Sequence, residues 1–277
     1  MMFSRHIDRY RAVIAALSLI GLSAHAAQAT FEPRVGQAGK DVIWVPTPNG
    51  LVDRMLRMAN VGPGDRIVDL GSGDGRIAIA AARDFNVPAT GIEFNPDMVT
   101  LSNRNAVEQG VAQRVKFVQG DIFEADFSDA TVITMYLLPS LNLRLRPKLL
   151  SMKPGTRIVS HAFTMEDWQP DNTANVEGQN AYFWIVPAQV GGTWRVQIGP
   201  ETVEVRLAQQ FQNFQGAAGP AGSAVTGFLR GDEIHMTLPD GRGGRRDLVG
   251  KVAGEQMTGT AGSQAFTAQR TALPVAQ

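Results

Sequence analysis

The stretch Ile67–Arg76, "IVDLGSGDGR", constrains the fold of this 277-residue chain more than any other. Apolar residues of buried-strand type run into Gly71, Gly73 and Gly75, and a helical pattern opens directly behind them. Backbone amides at a helix N-terminus attract negative charge, and glycines let a ligand approach the backbone closely. A dinucleotide loop requires G-x-G-x-x-G. Here the sixth position is Arg76, a bulky side chain where helix and strand should touch. No Gly-Lys-Ser/Thr follows, which removes the phosphate loop of nucleoside triphosphatases.

The flanking pattern repeats the same unit. Asn49 is expected to cap a helix whose apolar residues Val52, Met55, Leu56 and Ala59 fall at i, i+3, i+4 and i+7. Strands are predicted at 66–70, 89–94, 114–121 and 130–138, with helices at 75–84 and 96–109 between them. A helical stretch to Met152 is interrupted by Pro147, which should kink it or start it, and a fifth strand falls within 153–163. Strands separated by helices at this pace predict an α/β protein with a doubly wound sheet. After Phe163 the texture changes. Residues 165–180 read as a polar loop, and 181–188 with 193–198 as a hairpin around Gly191 and Gly192. Gly227–Leu238 and Gly250–Ala261 share the frame G-x-x-x-G-[DE]-[EQ]-[IM]-x-x-T at an offset of 23, each copy a strand, a tight turn and a strand. The C-terminal part, 191–277, is therefore expected to be a small antiparallel β meander or barrel behind a domain spanning 30–190.

Acidic residues stand at the ends of successive strands. Glu93 lies 20 residues after Gly73, where a carboxylate can take both hydroxyls of a ribose. Asp121 ends the third strand with Ile122 beside it, a pair suited to an adenine amino group and ring. Asp69 precedes the glycines and can receive an amine. Each carboxylate alone would be an ordinary strand-end residue; the three together ask for an adenine, a free ribose and a charged amino-acid end. That is S-adenosylmethionine rather than NAD or ATP. Thr47, in "VPTP", is expected to line the cofactor mouth, and His161, ending the fifth strand, is a candidate base.

The stretches "VDLGSGDGR", "GIEFN", "GDIF", "MYLLP" and "LRPKLLSMKPGTRIVSHAF" resemble the class I S-adenosylmethionine-dependent methyltransferases over roughly residues 42–187. More narrowly, "DLGSGDGR" and "YLLP" are similar to a bacterial group related to the mitochondrial lysine methyltransferases of the adenine nucleotide translocase and the ATP synthase c-subunit. The resemblance implies a Rossmann-like sheet of seven strands. It implies that Asp69 and the loop Gly71, Ser72, Gly73 and Gly75 hold the methionine end, that Glu93 binds ribose, and that Asp121 reaches adenine. It places the segment after the fourth strand against the methyl group, which makes Tyr136 and the carbonyls of Leu137 and Leu138 candidates for positioning an amine. A protein lysine is the expected acceptor. A small-molecule or lipid-like acceptor is an alternative, as is an inactive nucleotide-binding fold carrying an envelope β module. Nucleic acid is not expected: the formal charge is zero, and Tyr-Leu-Leu-Pro stands where Asn/Asp-Pro-Pro-aromatic would.

The N-terminus raises a conflict. Arg5, Arg9 and Arg11 precede an apolar run, Ala12–Leu22, and "AHAAQA" offers small residues before Thr30. Residues 1–29 thus read as an export signal, or as an uncleaved anchor that would bring the protein close to a membrane. A periplasmic or secreted location is expected, away from where the cofactor is made. Cysteine is absent, and removal of 1–29 leaves only His161 and His235 as histidines, which excludes thiolate and multi-histidine metal sites.

Overall fold

The computed structural model describes residues 31–241 and 243–274, so the expected signal or anchor over 1–29 lies outside the described residues. Seven strands form the first sheet: β1 (Ile67–Leu70), β2 (Ala89–Glu93), β3 (Val115–Gln119), β4 (Val132–Met135), β5 (Arg157–His161), β6 (Asn172–Val176) and β7 (Gln179–Ile185). Their order is β3-β2-β1-β4-β5-β7-β6. β1 to β5 run parallel, and β7 is antiparallel to β5.

The central strands β1 and β4 are buried throughout and mostly apolar because both faces are covered. Ile67, Val132 and Val159 join one core with α1 (Asn49–Met58) and α2 (Arg76–Asp84). Val68, Ile133 and Ile158 join a second core with Leu145 and Leu149 of α4 (Pro139–Leu150). Ala106 of α3 (Pro96–Glu108) packs into the first core. Successive residues therefore alternate between cores, as strand geometry requires.

Several local expectations are corrected. Pro48, not Asn49, holds the cap position of α1, and Asn49 is already helical. α4 begins at Pro139 and carries Pro147 in its last turns. Residues 165–180 are not all loop: they include β6, joined to β7 by a turn at Glu177 and Gly178 with φ of 50° and 82°. The apolar run 181–188 pairs with β5 and β6, not with 193–198. β6 is an edge strand with no buried residue, so it carries no apolar alternation to read.

The remaining strands are β8 (Gly192–Ile198), β9 (Glu201–Gln210), β10 (Asn213–Ala218), β11 (Ser223–Arg230), β12 (Glu233–Pro239), β13 (Arg245–Ala253), β14 (Gln256–Ala261) and β15 (Gln264–Ala272). They close into an antiparallel barrel in which β15 returns to pair with β8. The two repeat copies are the hairpins β11–β12 and β13–β14. Trp194, Val196, Leu207, Ile234, Met236, Leu248 and Phe266 fill the interior, which is a packed core.

Candidate active site

A cavity of about 260 Å³ opens at the C-terminal ends of β1, β2 and β4, the usual binding edge of a parallel α/β sheet. It brings together Thr47, Asp69, Gly71, Ser72, Gly73, Glu93, Asp121, Ile122 and Tyr136. Gly75 and His161 stand behind that lining.

The glycine loop turns through positive φ at Gly71, Gly73 and Gly75. At Gly75 a Cβ would lie 2.5 Å from Cζ of Phe117, so the close helix–strand approach is made here. At Gly73 a Cβ would lie 2.8 Å from Nε1 of Trp44. The loop amides are mostly committed internally: Gly71 and Ser72 donate to the Ile92 carbonyl, Gly75 to the Ser72 carbonyl, and Gly73 to Oε2 of Glu93 at 2.9 Å. The loop therefore supplies shape and close approach more than anion-binding amides. Arg76 turns away from the strand. It pairs with Asp74 at 2.6 Å and donates to the Thr47 carbonyl at 2.9 Å, tying the segment before α1 to the loop.

The three carboxylates differ in state. Asp69 is 2% exposed and accepts a 2.7 Å hydrogen bond from Thr134, its register partner on β4. Burial, less this hydrogen bond, pushes its pKa up to about 7, with Asp74 and Glu93 adding to the rise. Glu93 accepts from Gly73 through one oxygen and from Asn95 through the other, both at 2.9 Å. Each oxygen keeps a second lone pair for a hydroxyl. Asp121 accepts from Lys40 at 2.6 Å and from the Phe123 amide at 2.9 Å, and these bonds hold its carboxyl below the usual range.

Lys40 belongs to a feature the sequence pattern did not announce. Residues 36–44 fold back on themselves, with Ala38 bridged to Ile43 and the Gly36 amide bonded to the Trp44 carbonyl. This strap walls the cavity, with Trp44 against Gly73 and the Lys40 ammonium 4.5 Å from the Phe94 ring centroid. A nine-residue strap has no room for the periodicity that marks a helix or a strand.

The opposite wall is apolar: Tyr136, Leu137, Leu138, Leu141 and Phe163. The Tyr136 and Phe163 rings stack with centroids 6.2 Å apart. Phe163 is aimed by a three-residue turn in which its amide bonds the His161 carbonyl at 2.8 Å, with Ala162 at φ 65°. Such a turn is strained, and strain of this kind concentrates at functional sites. The Leu138 carbonyl is taken by the first amides of α4, Leu141 and Asn142, which removes it as an amine acceptor. No hydrogen bond among the described residues uses the Leu137 carbonyl. His161 is 1% exposed, with Nδ1 3.0 Å from the Thr47 hydroxyl and Nε2 3.1 Å from Oε1 of Gln179. Both ring nitrogens therefore have a hydrogen-bond partner. Burial also pushes its pKa down. Its ring lies 3.8 Å from that of Tyr136, which places His161 behind Tyr136 and outside the cavity lining.

These residues fit S-adenosylmethionine. Carboxylate acceptors would meet its amine and hydroxyl donors, and Ile122 and Phe94 would offer apolar contact for a ring. The group supplies a methyl on a sulfonium; the chain supplies its alignment. The family described as the ANTKMT methyltransferase domain matches residues 69–172. A protein-lysine N-methyltransferase of Saccharolobus islandicus (strain REY15A) is 48% identical over 141 residues, covering 50% of this chain and 88% of its own length. The lysine N-methyltransferase of the ATP synthase c-subunit from Mus musculus is 33% identical over 53% of this chain and 60% of its own, and the adenine nucleotide translocase lysine N-methyltransferase of the same organism 37% identical over 43% and 52%. A solved structure described as an RNA methyltransferase from Salinibacter ruber, in complex with S-adenosylhomocysteine, is 53% identical over 53% of this chain and 96% of its own, with a TM-score of 0.52. The chain belongs to the class I S-adenosylmethionine-dependent methyltransferases, in the group of the ANTKMT methyltransferase domain.

Proposed function

We propose that this methyltransferase acts on a protein lysine amine. The observation that carries the reading is the apolar aromatic wall formed by Tyr136, Leu137, Leu141 and Phe163 beside the glycine loop. A lysine must lose its proton before it can attack. Burial against apolar side chains lowers an ammonium pKa, and aromatic faces hold the cation on approach. The Leu137 carbonyl can then orient the remaining N–H. The names of the Saccharolobus islandicus and Mus musculus relatives support the same acceptor.

RNA is the competing acceptor, since the Salinibacter ruber relative is described as an RNA methyltransferase. Phosphate recognition needs unpaired cations. The two cations lining the cavity, Lys40 and Arg76, are paired with Asp121 and Asp74. The rim instead exposes Ile43, Phe94 and Leu138. Methyl-labelled cofactor added to a cell extract, followed by proteolytic digestion and mass spectrometry, tests the reading. Label on lysine is expected. Label released by ribonuclease, or confined to the small-molecule fraction, would overturn it.

We further propose that residues 1–29 direct export, or anchor the chain to a membrane if left uncleaved. The N-terminus of the isolated protein decides between these. A start near Thr30 supports export, and an intact Met1 supports the anchor.

A further inference from the structure

We infer that the C-terminal barrel is a positioning element of the methyltransferase site: the β9–β10 turn braces the loop that carries Phe163 into the cavity. Five barrel hairpins have two-residue turns. Four place glycine first, at positive φ: Gly199, Gly231, Gly254 and Gly262. The fifth, between Gln210 and Asn213, places Phe211 there at φ 53°. A left-handed phenylalanine is strained and persists only where the surroundings enforce it.

The surroundings are those of the other domain. Phe211 packs with the second core of the seven-stranded sheet and not with the barrel interior. Its ring stacks on Trp168, centroids 5.9 Å apart at 15°, and the Arg146 guanidinium of α4 lies 5.3 Å from its centroid. Next to it, Gln212 donates to the Gln169 carbonyl at 2.8 Å. Trp168 is fully buried, and its indole N–H has no partner among the described residues, so ring contacts hold it.

The braced loop leads straight into the cavity. On its other side α4 grips the same segment: Asn142 donates to the carbonyls of Phe163 and Thr164 at 3.3 and 3.2 Å, and Arg146 donates to that of Met165 at 2.9 Å. Ala162 and Glu166 in this loop are also left-handed, at φ 65° and 54°. Of the six left-handed non-glycine residues among those described, three (Ala162, Glu166 and Phe211) thus belong to one contact chain. The Salinibacter ruber relative, matched over 96% of its length by 53% of this chain, has no length for such a barrel. The brace serves the site whatever the acceptor.

The full-length protein tests this with Phe211→Gly, which removes the ring while relieving the backbone. Hydrogen exchange across 162–170 should rise at least tenfold. Affinity for S-adenosylhomocysteine should stay within twofold, and methyl incorporation into unfractionated cell extract should fall at least fivefold. Phe211→Tyr, which keeps the ring, should restore all three. Ile198→Ala, in the barrel core at the far end of β8, should lower the melting temperature without loosening 162–170. Unchanged exchange in Phe211→Gly, equal loosening in Ile198→Ala, or unchanged methyl incorporation despite a looser loop would each overturn the brace.

Discussion

Replacing Asp69 with asparagine should stabilise the free protein and weaken its ligand at the same time. The folded state raises the Asp69 pKa from 3.8 to about 7. Between those values the folded protein keeps a proton that the unfolded chain has lost. Stability therefore falls as pH rises, by about 1.4 kcal/mol per unit, and levels off above pH 7. The full cost of the buried charge is about 4 kcal/mol, of which about 3 kcal/mol accrues between pH 5 and pH 8. In Asp69→Asn the amide oxygen would still accept from Thr134 and the side chain carries no charge, so the variant lacks this slope. Subtracting wild type from variant cancels the titrating groups that do not interact with Asp69. The melting-temperature gap should widen by on the order of 5–10 °C between pH 5 and pH 8. Scanning fluorimetry without ligand at the two pH values measures it. Calorimetry at pH 8 should show S-adenosylhomocysteine binding the variant at least tenfold more weakly. A gap of equal size at both pH values would refute the reasoning.

Glu93→Ala strips the acceptor from the Gly73 and Asn95 amides and should weaken S-adenosylhomocysteine binding at least a hundredfold by calorimetry. Gly75→Ala should cost about 2–4 kcal/mol in a denaturant melt, from left-handed backbone and overpacking on Phe117, and Phe117→Leu should recover only the packing part. Tyr136→Phe should lower kcat about tenfold or more with ligand affinity unchanged. His161→Asn should lower the rate without moving the acid limb of the pH–rate profile, because both ring nitrogens already have partners; a moved limb would restore His161 as the base.

The parallel sheet was legible because each central strand is buried on both sides, so Ile67–Leu70 and Val132–Met135 are mostly apolar runs that glycine and polar turns punctuate. Asp69, Glu93 and Asp121 could be read because strand ends follow directly from those runs. What escaped was set by tertiary contact. The strap carrying Lys40 has no pattern of its own. The Leu138 carbonyl looked available until α4 was seen to start on it. The partners of His161, Thr47 and Gln179, lie 114 and 18 residues away in the chain, so its hydrogen bonding was not legible. Phe211 resembled any aromatic in a β segment, and only its left-handed φ and its stack on Trp168 separate it from the barrel core.

The barrel's ring is closed by its first and last strands, from Phe266 opposite Ile198 to Ala272 opposite Thr193. During synthesis the seven-stranded sheet can assemble once Ile185 has emerged, whereas β8 must wait for the whole of β15 before its free edge is covered. A premature stop within 264–272 would leave β8 and β14 as two open edges, each a template for pairing with another chain. Such a stop should produce aggregates in place of a slightly shorter enzyme, because closure of the ring depends on β15.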